Sequence, residues 1–170
     1  LDLIERLGKG PNGPTWLAID TRLDRMVTIK LLSSIDPIVR AGQGAELLNL
    51  VERFAMVSQK NAVVPKSASG ANVLPAWILR DYISGLDLKT LCKRGGSIGG
   101  LLGIAVLHQV AGALAAFHRM GITHCNLKSS NVLLTEDGDV YVVDPGISQE
   151  LLRRYPAAGA PAPVELGEHA

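Results

Sequence analysis

The chain has 170 residues, 47% of them apolar, and its mean hydropathy is +0.21, so it can bury a hydrophobic core and is not a disordered segment. Its formal net charge is +1 and it has no basic stripe interleaved with aromatic residues, which argues against a nucleic acid partner. Two cysteines, Cys92 and Cys125, are too few for a disulfide framework and lack metal-ligand spacing, which is typical of a reducing intracellular compartment.

The first half of the chain predicts five strands and one helix. Residues 1–32 alternate apolar and polar positions around a turn rich in glycine and proline, which is typical of a hairpin followed by a third strand. Over residues 39–57, apolar side chains recur every three or four positions, which predicts one amphipathic helix, with two glycines weakening its start. Two short apolar runs bounded by prolines, 62–64 and 77–79, predict the remaining strands.

The second half predicts helices followed by a hairpin. We expect a short helix over 86–92 and a strong helix from about 103 to 119, with Gly121 as its stop. Two apolar runs, 132–134 and 140–143, flank an Asp-Gly turn and predict a hairpin. The stretch 155–163 is rich in alanine, proline and glycine and indicates a loop.

No membrane segment is expected in this chain. The longest apolar run, 104–117, contains a histidine and a glutamine and is shorter than the span of a bilayer. The chain begins at Leu1 without an initiator methionine or a signal peptide, so we expect it to be a piece of a longer protein.

A glycine-rich pattern, G-x-G-x-x-G, lies in the first hairpin at Gly8, Gly10 and Gly13. Such glycines let backbone amides approach phosphates without an intervening side chain. By itself the pattern is equally typical of a hairpin that binds no ligand. Two prolines and Asn12 at the tip make this loop stiffer. Lys30 follows 17 residues after Gly13, at the end of a V-T-I-K strand.

The most informative segment, residues 124–134, reads H-C-N-L-K-S-S-N-V-L-L. It resembles the catalytic loop of a protein kinase, H-R-D-L-K-x-x-N, in which the aspartate accepts the proton of the substrate hydroxyl. Asn126 takes the place of that aspartate, and an amide cannot accept a proton near neutral pH. The resemblance assigns Lys128 to the γ-phosphate and Asn131 to magnesium.

Two further motifs carry the resemblance. Asp144 begins D-P-G, similar to the kinase D-F-G, and is the second expected magnesium ligand, while Pro145 replaces the aromatic residue and removes a backbone donor. Lys30 corresponds to the lysine that pairs with the α- and β-phosphates. For its partner on the helix we select Glu46, although the distance to the next strand favours position 50, which is a leucine.

Residues 78–85 resemble the kinase hinge, with backbone groups of Asp81 and Ile83 facing adenine. Arg80 then occupies the gatekeeper position, unless a shift of one residue turns it outward. Thr15 and Thr28 replace the usual valine and alanine of the pocket roof. The resemblance implies this nucleotide-binding set: Gly8, Gly10, Gly13, Thr15, Thr28, Lys30, Glu46, Arg80, Asp81, Ile83 and Leu133.

The resemblance covers residues 1–146, and the sequence around 17–25 is similar to bacterial Ser/Thr kinases. It implies an α+β fold: an N-lobe over 1–83 with a five-stranded antiparallel sheet and one main helix, a truncated and mainly helical partial C-lobe over 84–155, and a tail over 156–170. A faint match to the end of an activation segment lies at 159–166. The helices that complete a kinase C-lobe are absent from this chain, so the apolar face of the 103–119 helix needs another cover.

Three functions compete. The first is a pseudokinase that acts by regulatory binding of a protein partner or a second copy in the cytoplasm and retains a site for ATP and Mg²⁺. The second is a weakly active Ser/Thr kinase, because loss of a general base commonly costs about 10²- to 10⁴-fold in rate. The third is a scaffold domain that binds no nucleotide. Asn126, Pro145 and Arg80 favour the first.

Overall fold

The computed structural model describes residues 1–156, and the first lobe is built on the predicted five-stranded antiparallel sheet. Its strands lie in the order β1, β2, β3, β5, β4. The strand bounds are β1 Asp2–Gly10, β2 Gly13–Asp20, β3 Arg25–Leu31, β4 Pro65–Ala68 and β5 Trp77–Asp81. This arrangement confirms the predicted sheet and places the end of β3 beside β5.

The prediction of a strand at 62–64 is wrong, because β4 begins at Pro65. The backbone N–H of Val63 donates to the carbonyl of Val142 at 2.9 Å, and Ala62 forms a parallel bridge with the same residue. The stretch is therefore held by the second lobe, and it joins the two halves of the fold.

The helix predicted over 39–57 is broken near its start. A short helix α1 (Asp36–Ile38) continues through a π-helical turn to the main helix α2 (Gly44–Ala55). Gly42, with φ of 84°, interrupts the helical backbone between them. The next helix begins at Gly44, where a Cβ atom would lie 1.7 Å from the carbonyl oxygen of Ala71. The two glycines permit a kink and a close packing contact that the apolar pattern does not show.

The second lobe contains β6 (Leu86–Asp87), α3 (Leu88–Gly95) and α4 (Gly100–Arg119), followed by the strands β7 (Val132–Leu134) and β8 (Val140–Val142). The predicted hairpin is confirmed as β7 and β8. The short helix starts two residues later than predicted, because Leu86 and Asp87 pair with β7. The Asp87 carboxylate accepts a hydrogen bond from the Thr90 N–H at 2.9 Å and caps α3.

Helix α4 has 20 residues and is longer than the apolar run used to predict it. Among residues 1–156 it is the one helix that length and composition make capable of crossing a membrane, so those two criteria do not support the expectation that no such segment exists. Its inner face nevertheless lies in the protein core, with five residues buried: Val106, Val110, Ala113, Ala116 and Phe117.

One helix, α5 (Ile147–Arg154), was not predicted. Ile147 and Leu151 are each 1% exposed and lie one turn apart, which fixes its inner face. Both belong to the hydrophobic cluster that also contains residues of α2, α4, β7 and β8, so a single core joins the two lobes. Phe54 of α2 and Phe117 of α4 meet edge to face at 6.0 Å in this core. The tail predicted for 156–170 and the faint match at 159–166 lie, apart from Pro156, outside the described residues.

Candidate functional site

A cavity of about 520 Å³ lies between the β1–β2 hairpin and the loops of the second lobe. Its volume is in the range of small-molecule sites. Twelve of the predicted site residues line it: Gly8, Gly10, Thr15, Thr28, Lys30, Arg80, Ile83, Asn126, Lys128, Asn131, Leu133 and Asp144. The structure thus gathers motifs separated by more than 100 residues of sequence around one space.

Gly13 does not line this cavity. A Cβ atom at this position would lie 2.3 Å from the carbonyl oxygen of Leu31, and its φ of 136° disfavours any other residue. Gly8, in contrast, has no heavy atom within 4 Å of its Cβ position. The third glycine of the motif therefore serves the packing of β2 against the end of β3, while the first leaves open space over the cavity.

Glu46 is not brought to Lys30. Its carboxylate accepts a hydrogen bond from Arg154 Nη1 of α5 at 3.3 Å. Leu50, the position that chain spacing favoured, is buried in the core at 1% exposure. The predicted pairing fails because α5, an element absent from the prediction, supplies the partner of Glu46.

Lys30 instead forms an ion pair with the carboxylate of Asp144. Only 10% of the lysine side chain and 16% of the aspartate side chain are exposed. Asp144 has a φ of 65°, a left-handed conformation that aspartate tolerates better than most residues. The predicted phosphate-binding lysine and the predicted metal ligand therefore neutralise one another inside the cavity.

We call Asn126, Asn131 and Asp144 the floor of the cavity. Asn126 Nδ2 donates to the backbone carbonyl of Asp144 at 3.0 Å, and Asn131 Nδ2 donates to the backbone carbonyl of Asn126 at 2.8 Å. The N–H of Val143 donates to the Asn131 carbonyl at 2.9 Å, which joins the catalytic loop to the strand before Asp144. The side chain at the position of the general base thus acts as a hydrogen-bond donor.

The floor has the oxygen atoms that magnesium prefers. Asn131 donates through its nitrogen, which leaves the amide oxygen as a ligand, and Asp144 supplies a carboxylate. Residues 1–156 contain no cluster of three or more His, Cys, Asp or Glu side chains that could hold a metal ion on their own. Two oxygen ligands suit Mg²⁺ bound together with phosphates, since that ion usually keeps few protein ligands.

We call Thr28 and Arg80 the back wall of the cavity. They are paired across β3 and β5, and Arg80 is 8% exposed, so it does not point outward. Arg80 Nη1 donates to the backbone carbonyl of Asp81 at 3.2 Å, and burial lowers the pKa of the guanidinium. Asp81, whose backbone groups were expected to face adenine, does not line the cavity, and its carboxylate accepts from Arg25 at 2.9 Å.

His124 supports the catalytic loop from below. It is 2% exposed, its ring packs edge-on against Phe117 at 5.5 Å, and its carbonyl accepts from the N–H of Gly146 at 2.7 Å. Burial lowers the pKa of the imidazole to about 4, so the ring is neutral at pH 7. Its role is therefore structural.

Sequence reasoning missed eleven residues that line the cavity. Most of them are next to motif residues in the sequence, and that adjacency is the signal from which they could have been predicted. Lys89 differs, because the pairing of β6 with β7 carries the start of α3 to the site. The set is Leu7, Lys9, Pro11, Asn12, Tyr82, Gly85, Leu86, Asp87, Lys89, Ser130 and Val143.

Comparison with known proteins agrees with this geometry. The family described as "Protein kinase domain" matches residues 1–160. The chain belongs to the protein kinase family. The bacterial serine/threonine-protein kinase PknE of Mycobacterium tuberculosis is 32% identical over 145 residues, and PknD of the same species is 31% identical over 150 residues. These matches cover 84% and 86% of this chain.

The kinase relatives are much longer than this chain, which spans 25% of PknE and 22% of PknD. Among solved structures, Rad53 residues 1–466 in complex with AMP-PNP superposes with a TM-score of 0.73 at 22% identity, covering 85% of this chain and 38% of that chain. That likeness supports the kinase fold, with a first lobe and a truncated second lobe.

Proposed function

We propose that this chain is a pseudokinase: a kinase-like domain that retains a nucleotide cavity and acts by binding other proteins. The observation that carries the proposal is the hydrogen bond from Asn126 Nδ2 to the Asp144 carbonyl. The nitrogen lone pair of an amide is delocalised into its carbonyl, so this side chain donates hydrogen bonds and cannot take a proton from a substrate near neutral pH. Without a general base, transfer to a hydroxyl loses about 10²- to 10⁴-fold in rate.

Nucleotide binding is supported by the groups that remain in the cavity. Gly8 and Gly10 line the cavity without side chains, which allows their backbone to approach phosphates, and Lys30 is paired with Asp144 of the floor. When bound, Mg-ATP would supply the phosphoryl donor, held by Lys30 with Asn131 and Asp144 as metal ligands. A phosphate can pair with Lys30, and a divalent cation can pair with Asp144. Binding of both can therefore open the Lys30–Asp144 ion pair without leaving a buried charge unpaired.

Two observations favour the alternative functions. Lys128 lines the same cavity as Asn131 and Asp144, which supports a weakly active kinase directed to Ser or Thr hydroxyls. The outer face of α4 supports protein binding without nucleotide, because four apolar residues are exposed there: Leu101, Leu102, Ile104 and Leu107. We assign that face to a protein partner or a second copy and place the domain in the cytoplasm.

Thermal unfolding with purine nucleoside triphosphates, with and without Mg²⁺, tests nucleotide binding. We expect ATP or ITP to raise the Tm of the native protein, by a stabilisation of about 2.7 kcal/mol at 100 times the Kd. Lys30→Met should abolish the shift, measured against its own ligand-free Tm. Lys66→Met is the matched control, since Lys66 lies on β4 and does not line the cavity.

The absence of a shift with either triphosphate at millimolar concentration would contradict the proposal and favour the scaffold. Equal shifts in native protein and Lys30→Met would show that nucleotide binds elsewhere.

A further inference from the structure

The back wall carries two buried polar atoms without partners. Arg80 Nε and Thr28 Oγ1 make no hydrogen bond to any other atom of residues 1–156. The two residues are 8% and 1% exposed, and both line the cavity. Burying such groups unpaired costs free energy, and most buried polar groups in proteins have a partner. Because both residues line the cavity, a ligand bound there lies beside the guanidinium and the hydroxyl.

The chemistry of this wall is that of a donor. A guanidinium has N–H groups and no acceptor, whereas the threonine hydroxyl can donate or accept. Arg80 Nη1 also occupies the carbonyl of Asp81, the acceptor that follows it on β5. A ligand amino group at this wall would therefore face the N–H donors of Arg80.

The charge on the wall also lacks a carboxylate in direct contact, although Asp144 and Asp81 act on it from a greater distance. Among residues 1–156, Arg80 forms no ion pair, because the Asp81 carboxylate lies with Arg25 and Lys66 and the Asp144 carboxylate lies with Lys30. A carbonyl or anionic oxygen is the group that satisfies a buried guanidinium most strongly.

We propose that the cavity selects purine nucleotides with an oxygen at position 6 over those with an amino group there. The inference rests on the proposed nucleotide binding and on a base that docks with its six-membered-ring edge toward the back wall. A 6-oxo group accepts from the Arg80 guanidinium, whereas a 6-amino group places its N–H donors against those of that guanidinium. The nucleotides of this class are those of hypoxanthine and guanine.

The test compares the dissociation constants of ATP, ITP and GTP by isothermal titration calorimetry. ITP differs from ATP in having an oxygen in place of the amino group at position 6 and a protonated N1. GTP shares the 6-oxo group, so a common preference for ITP and GTP over ATP assigns the selectivity to this edge of the ring. We expect ITP to bind native protein about 10- to 100-fold more tightly than ATP, the range for a hydrogen bond to a charged group.

Arg80→Met removes the N–H donors and keeps a side chain of similar length. It should bring the affinities for ITP and ATP to within about threefold of each other, mainly by increasing the affinity for ATP, because a methionine does not repel the amino group. Arg25→Met is the matched control: Arg25 also contacts Asp81 but does not line the cavity, and its loss should leave the ratio unchanged.

Equal affinity for ATP and ITP in native protein would overturn the inference and leave nucleotide binding intact. A failure of all three triphosphates to bind would overturn the proposed nucleotide binding together with it. If Arg80→Met does not fold, the ratio in native protein still decides.

Discussion

The floor and the back wall of the cavity use buried polar groups in opposite ways. On the floor, the amides of Asn126 and Asn131 each donate to a backbone carbonyl, and the charge of Asp144 is paired with Lys30. On the back wall, Arg80 and Thr28 each leave one buried atom without a partner. A satisfied network stabilises the folded chain, whereas an unsatisfied one is a cost that a ligand can remove. The two regions should therefore respond to substitution with opposite signs.

The largest expected effect is on the floor, from Lys30→Met. The substitution leaves the carboxylate of Asp144 buried without its cation, which should lower the free energy of unfolding by about 3 kcal/mol. Urea unfolding at pH 7 measures it. The double variant Lys30→Met with Asp144→Asn removes both charges and should recover much of the loss. A loss below about 1 kcal/mol in the single variant would mean that the pair is solvated.

Acidification should destabilise the protein through His124, beneath the floor. The folded pKa of about 4 lies below the ordinary value of 6.5, so the unfolded state binds the proton more readily. Stability from this group is present above pH 6.5 and is lost as pH falls toward 4. Between pH 7 and pH 5 the loss is about 2 kcal/mol by linkage.

His124→Gln removes that titration. Urea unfolding at the two pH values should show a smaller difference for the variant than for native protein, by about the same amount. Equal pH dependence in both would show that other groups cause it.

Asn126→Asp should destabilise the floor by about 1–2 kcal/mol, because a carboxylate cannot donate to the Asp144 carbonyl and leaves that acceptor facing a negative group. Asn72→Asp, at an exposed position between β4 and β5, is the matched control, and we expect a change within about 0.5 kcal/mol. Chemical denaturation measures both. A variant as stable as native protein would show that the Asn126 hydrogen bond contributes little.

The back wall should give the opposite sign. Thr28→Val deletes a buried hydroxyl without a partner at similar volume, and we expect the ligand-free protein to gain up to about 1 kcal/mol. Thr90→Val is the contrasting control, because its hydroxyl donates to Asp87 at 2.7 Å and its loss should destabilise. Thermal or urea unfolding distinguishes the two directions, and a loss of stability in Thr28→Val would mean that its hydroxyl is satisfied.

The floor could be predicted from the sequence because its residues lie within 19 positions of one another, from Asn126 to Asp144, and belong to two short local motifs. The fold was accessible for a similar reason: strand alternation and helical periodicity are local patterns. The placement of Arg80 beside the cavity was also predictable from its position on β5. The absence of a hydrogen-bond partner for Arg80 Nε was not predictable, because it depends on neighbouring residues from another strand.

The pairing of Glu46 failed for a different physical reason. An ion pair between distant segments depends on the register of both, and Gly42 breaks the helix four residues before Glu46. Its actual partner, Arg154, lies on α5, whose signal was the one-turn spacing of Ile147 and Leu151. These two residues span only one helical turn and come directly after a proline-glycine pair. The loop signals around them therefore outweighed this short helical signal.

Transfer of radiolabelled phosphate from Mg-ATP and from Mg-GTP to the protein itself and to a generic Ser/Thr substrate tests most directly the central claim, that general-base transfer is lost in a chain that retains nucleotide binding. The account predicts no transfer by native protein above the Lys30→Met background. Asn126→Asp, compared at a temperature where it is folded, should show an increase if the rest of the site is competent. Transfer by native protein that disappears in Lys30→Met would contradict the account and establish an active kinase.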